Sequence, residues 1–151
     1  MIKVGEKFPD FDLIADDGKH VTLRDLKGKP FVLYFYPKDD TPGCTQEACA
    51  FRDDYKIFKD KNVLLFGVSL DDTKSHVSFK KKFDLPFPLL SDPGATVSKA
   101  LEVYKEKSMY GRKYWGIERT TFIIDAKQKL VAIFPKVKVT GHSQEIISAL
   151  P

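Results

Sequence analysis

The sequence predicts an α/β fold built on a central mixed β-sheet flanked by helices. Three observations carry that expectation. Apolar runs of strand length alternate with segments of helical periodicity. The run from Phe31 to Tyr36 is unbroken and lies between Pro30 and Pro37. The chain closes on two strand-like segments and a helix.

Taken in order, Phe11 to Ile14 and His20 to Leu23 read as short strands around a turn at Asp16-Asp17-Gly18, and Leu23 to Gly28 as a single helical turn stopped by the glycine. Phe31 to Tyr36 needs burial on both faces, as in a central parallel strand. Cys44, Ala48, Phe51, Tyr55 and Phe58 recur at helical spacing and define the apolar face of a helix; Glu47, Arg52, Asp53, Lys56 and Lys59 fall on its polar face. Val63 to Ser69 is a second apolar strand. Asp71-Asp72-Thr73 caps a helix running towards Phe83, with Pro86 and Pro88 breaking it. Leu89-Leu90 reads as a short strand and Ala95 to Leu101 as a helix. Residues 102 to 118 are polar and aromatic without clean periodicity, which predicts a surface loop. Thr120 to Ile124 and Leu130 to Phe134 form two strands around a turn at Asp125 to Lys129, and Ser143 to Leu150 a last helix.

Composition narrows the function classes. With 151 residues, 42% hydrophobic and 30% charged, and no repeat, low-complexity tract or linker, the chain is expected to be one domain, residues 1–151. Its twelve Phe, six Tyr and one Trp supply a core that needs no disulfide or metal staple. The net charge of +4 is mild and interspersed. The densest basic run, Lys80-Lys81-Lys82, reads as the solvated face of a helix, so nucleic-acid binding is not expected. No apolar stretch is long enough to span a membrane. Met1 to Asp12 carries charge throughout without the apolar core of a secretory signal, so the cytoplasm is the expected location.

Both cysteines fall in one segment, Thr41-Pro42-Gly43-Cys44-Thr45-Gln46-Glu47-Ala48-Cys49. A structural disulfide would close a very short loop and constrain the unfolded chain little. A zinc site lacks ligands, because His20, His76 and His142 form no closely spaced pair. Two inert buried cysteines are the plainest alternative. Redox chemistry is the fourth reading, and the local context favours it. Cys44 falls in the first turn of a helix introduced by Pro42 and Gly43, where unpaired N–H groups and the helix dipole stabilise a thiolate. Five positions along an intact helix separate two Cα atoms by roughly 8–9 Å, whereas a disulfide needs less than about 7 Å. If these two cysteines react with one another, the first turns must unwind. A thioredoxin-type pair, with two intervening residues, bonds without unwinding, so the spacing argues against a simple disulfide oxidoreductase.

Tyr36-Pro37-Lys38-Asp39-Asp40-Thr41-Pro42-Gly43-Cys44-Thr45 resembles the active-site loop of peroxiredoxins, in which Pro37, Thr41 and Cys44 fill the three pattern positions. The continuation Glu47-Ala48-Cys49-Ala50-Phe51-Arg52-Asp53 is similar to the peroxiredoxin Q branch, also called bacterioferritin comigratory proteins. The likeness extends over nearly the whole chain: Val4-Gly5-Glu6-Lys7-Phe8-Pro9-Asp10-Phe11, Tyr110-Gly111-Arg112-Lys113-Tyr114, and Glu118-Arg119-Thr120-Thr121-Phe122-Ile123-Ile124-Asp125.

This resemblance implies a thioredoxin-like fold and a thiol peroxidase that reduces hydrogen peroxide and organic hydroperoxides. It implies that Cys44 is the peroxidatic residue, Cys49 the resolving one, and a Cys44–Cys49 disulfide the product. Arg119 would stabilise the thiolate and hold the peroxide oxygens. The Thr41 hydroxyl would accept from substrate and donate to the thiolate, although as a helix N-cap it reads equally well. Pro37 would shield the sulfur from water. Glu47 and Trp115 fall near the site without an assigned role. The histidines are not expected to act: His20 and His76 read as exposed, and His142 as the entry to the last helix. The position that carries a cis-proline in thioredoxins holds Thr120. No metal, flavin or haem is implied. The partners implied are a hydroperoxide and thioredoxin, or a related dithiol donor, acting on a monomer. A peroxide-responsive signalling or holdase protein, switched by the same unwinding, is the alternative from the binding class.

Overall fold

The computed structural model describes residues 1–151. Its axis is β3 (Phe31–Phe35), all five residues of which are buried, as an unbroken apolar run demands. On one side β3 pairs in parallel with β4 (Leu64–Ser69), which pairs in parallel with β5 (Leu89–Ser91). Beyond β5 lie β1 (Asp12–Ala15) and β2 (His20–Thr22), both antiparallel. On its other side β3 runs antiparallel to β8 (Thr120–Ile124), and β8 to β9 (Leu130–Phe134). The sheet therefore has seven strands in the order β2-β1-β5-β4-β3-β8-β9, the mixed arrangement expected from the sequence.

Alternation along β3 divides the core in two. Phe31, Leu33 and Phe35 point to one face with Phe8, Phe11, Leu13 and Phe122, and there Phe8 meets Phe11, Phe31 and Phe122 edge to face at ring distances of 6.0, 6.2 and 5.6 Å. Val32, Tyr34 and Tyr36 point to the other face with Cys44, Ala48, Phe51, Phe58, Phe79 and Ile146. These come from α1 (Pro42–Asp53), α2 (Tyr55–Asp60), α3 (Thr73–Phe83) and α5 (His142–Ala149). The short α4 (Thr96–Ala100) follows a 3-10 turn at Pro93–Ala95, and another 3-10 turn, Arg24–Leu26, occupies the single turn expected there.

Three expectations need correction. The helix from Cys44 to Phe58 is broken at Asp54, whose φ of −100° and ψ of 5° separate α1 from α2. The Asp54 carboxylate accepts from Ser143 Oγ (2.8 Å) and Gln144 Nε2 (2.9 Å) of α5, and this tie across helices marks the break. The apolar spacing survives it, with Tyr55 half-buried. Residues 102–118 are not a loop: β6 (Tyr104–Met109) and β7 (Arg112–Ile117) form a hairpin turning through Tyr110 and Gly111, both at positive φ. The two strands pair only with each other, so neither face is steadily buried and no period develops; Tyr110 is 99% exposed. Finally, His76 is fully buried rather than exposed, because α3 turns it under β5. His20 is exposed and His142 opens α5, as the sequence suggests. Lys81 and Lys82 are solvated, while Lys80 reaches Asp16 at 3.1 Å. No helix is long and apolar enough to cross a membrane.

Candidate active site

The carboxyl end of a central parallel strand is where α/β sheets gather reactive groups. Here β3 ends at Phe35, and Tyr36 to Thr41 form a loop that delivers the chain to α1. Tyr36 N–H donates to Val68 O at 2.9 Å, extending the pairing by one residue before the chain leaves the sheet. Thr41 occupies the N-cap position in extended conformation (φ −106°, ψ 155°), and Pro42 opens the helix, its fixed φ suiting the first turn. Cys44 is thus the third helical residue, among the amides that have no carbonyl one turn earlier. Its side chain is 2% exposed.

Arg119 arrives from the opposite direction. Thr120 pairs with Phe35 across the antiparallel β3–β8 ladder, so the residue just before β8 stands at the same sheet edge as the start of the loop. Its guanidinium spans two partners: Nη2 donates to Cys44 Sγ at 3.3 Å and Nη1 to Glu47 Oε1 at 2.7 Å. A Cβ on Gly43 would lie 3.2 Å from Nη2, so the missing side chain lets the guanidinium pass over the first helical turn.

Glu47 is 1% exposed, which overturns its assignment to the polar face of the helix. One turn after Cys44, it faces the sheet edge instead of solvent because Arg119 meets it there. Burial pushes its carboxyl up to about 7, with the Arg119 charge and hydrogen bond pulling the other way. Its second oxygen, Oε2, is buried with no hydrogen-bond partner, as is Tyr34 Oη. Burial raises Tyr34 well above the ordinary tyrosine value, and the Glu47 and Cys44 charges add to it. Burial works against charge on Arg119, but Glu47 and Cys44 outweigh it, so its pKa rises. Lys107, from β6, belongs to the same electrostatic group: its pKa is lowered by burial and by Arg119, while Cys44 opposes.

The remaining residues singled out in the sequence are distributed around this centre. Pro37 is half-buried in the loop. The Thr41 hydroxyl does not cap the helix; it donates to Lys38 O at 2.9 Å. Its one hydrogen is engaged there, so it reaches the sulfur as a donor only if that bond breaks, while its lone pairs can still accept. Cys49 is half-buried further along α1, and both thiols are free. Trp115 lies on exposed β7, stacked on Tyr104 at 5.6 Å. Glu47 and Lys107 are the site residues that sequence reasoning left without a role. A carboxylate three positions after a first-turn cysteine, with an arginine beside a distant strand, is the signal for Glu47; nothing local signals Lys107. A guanidinium held by one carboxylate and aimed at a buried sulfur stabilises negative charge on that sulfur, and its fork of donors remains open to an oxygen atom arriving there.

The chain is similar to known proteins in both sequence and fold. The AhpC/TSA family profile matches residues 4–133. A Coxiella burnetii relative is 52% identical over 149 residues, covering 99% of each chain. The Bacillus subtilis protein named peroxiredoxin Bcp is 47% identical over 149 residues, covering 99% of this chain and 95% of that one. Among solved structures, a cysteine-to-serine mutant of Xylella fastidiosa PrxQ superposes with a TM-score of 0.92 at 38% identity, covering 98% of this chain and 94% of the other. A structure of Xanthomonas campestris bacterioferritin comigratory protein, described for alkyl peroxide reduction, gives 0.87 at 40% identity, over 92% and 88% of the two chains.

Proposed function

The chain belongs to the AhpC/TSA family, among thioredoxin-like peroxiredoxins of the Bcp and PrxQ kind, and from that membership we propose a specific cycle for its peroxidase activity. Cys44 is the peroxidatic thiolate. It attacks one oxygen of hydrogen peroxide or an alkyl hydroperoxide, the O–O bond breaks, and the departing oxygen takes up a proton from solvent to leave as water or an alcohol. Cys44 becomes a sulfenic acid. The first turns of α1 then unwind, and the Cys49 thiol displaces water from that sulfur, closing the Cys44–Cys49 disulfide. An external dithiol, thioredoxin or a related donor, reduces the bond by exchange.

The observation that carries this reading is the Arg119 contact to Cys44 Sγ, with Glu47 fixing the guanidinium from behind. In the transition state charge spreads from sulfur onto the peroxide oxygens, and a preorganised guanidinium stabilises it there. The Thr41 hydroxyl accepts from the entering hydroperoxide, and Pro37 keeps water from the sulfur. The whole chain, residues 1–151, acts as one domain and as a monomer, in the cytoplasm.

The test couples hydrogen peroxide consumption to thioredoxin oxidation and identifies the disulfide by peptide mass. Wild type should turn over and show a linked Cys44–Cys49 peptide. Cys44→Ser should be inactive, and Cys49→Ser should complete one oxidation and then stop. Recycling of Cys49→Ser at the wild-type rate would eliminate the resolving role.

A further inference from the structure

Residues 37–41 have no ladder of their own, yet they carry Pro37 and Thr41 and lead into Cys44. What holds them is a buried cluster on the far side of the loop. Asp39, 7% exposed, accepts from Tyr36 Oη at Oδ1 (2.6 Å), and its Oδ2 accepts from Ser75 Oγ (2.8 Å) and lies 2.7 Å from His76 Nδ1. Its backbone N–H donates to Asp71 Oδ2 at 2.8 Å. His76, fully buried, has its Nε2 3.0 Å from Leu90 O in β5. A carbonyl can only accept, so Nε2 carries a hydrogen and donates to it. A second proton lies between Nδ1 and the carboxylate. The imidazole is therefore a fixed strut from β5, through α3, to the middle of the loop.

Towards Cys44 the ties are weaker. The Thr41 carbonyl accepts the first bond of α1 from Thr45 N–H at 2.8 Å, but its hydroxyl turns back to Lys38 O and leaves the helix N-terminus without a side-chain cap. The Lys82–Asp40 ion pair at 2.8 Å is solvent-exposed, a class of contact that contributes little. The chain is clamped at Asp39 and lightly held from Asp40 to Gly43, before Cys44 is buried against Arg119.

We propose that Asp39 and His76 are positioning residues: their contact holds the loop and the first turn of α1 in the conformation that receives peroxide. The proposal rests on the peroxidase reading for its function, but not for its measurement.

Two substitutions separate the struts of the imidazole. An asparagine amide occupies the place of Nδ1 and keeps the donor to Asp39 while losing Leu90 O. A glutamine amide reaches the place of Nε2 and does the reverse. Amide hydrogen exchange is measured on residues 38–46 of the reduced protein, together with thermal unfolding and the second-order rate of Cys44 oxidation by hydrogen peroxide. Expected for His76→Gln are exchange faster by about tenfold in that segment alone and peroxide oxidation slower by about tenfold, the size of a lost hydrogen bond to a charged group. His76→Asn should stay within about twofold of wild type in both. Equal behaviour of the two variants, or a larger effect from Asn, would overturn the proposal by showing that the Leu90 contact and general packing are what matter. Exchange needs no peroxide: a wild-type protein that consumed none would defeat the peroxidase reading while the exchange pattern still decided the anchor.

Discussion

Replacing Glu47 by Gln keeps the shape of the side chain and removes its charge, and the consequences differ for stability and for catalysis. In the folded protein burial lifts the Glu47 carboxyl to about 7; in the unfolded chain it titrates near 4.3. The folded state therefore binds the extra proton between these values. Its stabilising contribution is complete below about 4.3 and is lost as pH rises through 7. That displacement corresponds to roughly 3–4 kcal/mol of stability lost between pH 4 and pH 8, at about 1.4 kcal/mol per tenfold change in proton affinity. A Gln in the same place contributes no such slope. Urea unfolding of Cys44→Ser and Cys44→Ser/Glu47→Gln, measured from pH 5 to pH 8, isolates the term, because the serine background removes thiol titration. The stability gap should shift in favour of the Gln protein by 2 kcal/mol or more across that range, an order-of-magnitude figure from the same displacement. A gap that stayed constant, or moved the other way, would refute the argument that burial dominates at Glu47. In the Cys44 protein the same change loosens the guanidinium, and peroxide oxidation should slow by about tenfold, as for one hydrogen bond between charged groups.

Three further substitutions probe neighbouring contacts. Arg119→Lys keeps a charge but not a fork, so it cannot serve Cys44 and Glu47 together; stopped-flow oxidation should slow by about a hundredfold. Gly43→Ala introduces a Cβ 3.2 Å from Arg119 Nη2; a several-fold loss of peroxide reactivity with thermal stability nearly unchanged is expected, and equal reactivity would show that the guanidinium can yield. Gly67→Ala places a Cβ 2.7 Å from Tyr34 Oη on β4, where ring and strand cannot both stay; calorimetry should record a loss of about 1–3 kcal/mol from overpacking.

The strands that cross the sheet were legible because burial on one or both faces writes a pattern: β3 as an unbroken run, β8 and β9 as a pair around a turn, α1 by its apolar spacing. The β6–β7 hairpin was not, since strands that pair only with each other bury no consistent face. Its two-residue turn at Tyr110-Gly111 was the readable clue. In the site, the first-turn place of Cys44 followed from Pro42 and Gly43. Arg119 entered through the family likeness alone, because nothing local joins a residue in a late loop to a thiol 75 positions earlier. Glu47 was misplaced for a related reason: periodicity assigns a charged residue to water unless its buried partner is known, and that partner, Arg119, comes from the loop before β8. His76 failed likewise, its two partners lying on the active-site loop and on β5.

The antiparallel pairing of Phe35 with Thr120 has a consequence for how such a chain can tolerate length changes. Side-chain direction alternates along a strand, so sliding β8 by one residue would turn Arg119 away from the sulfur. The segment from Pro93 to Glu118, hairpin included, ends before that ladder begins. Residues can be added or removed at the Tyr110-Gly111 tip while the sheet still measures out the same distance between cysteine and arginine. One inserted residue between Arg119 and Thr120 would break that measure. The ladder is the ruler of the site, and the hairpin is slack that can be lengthened without resetting it.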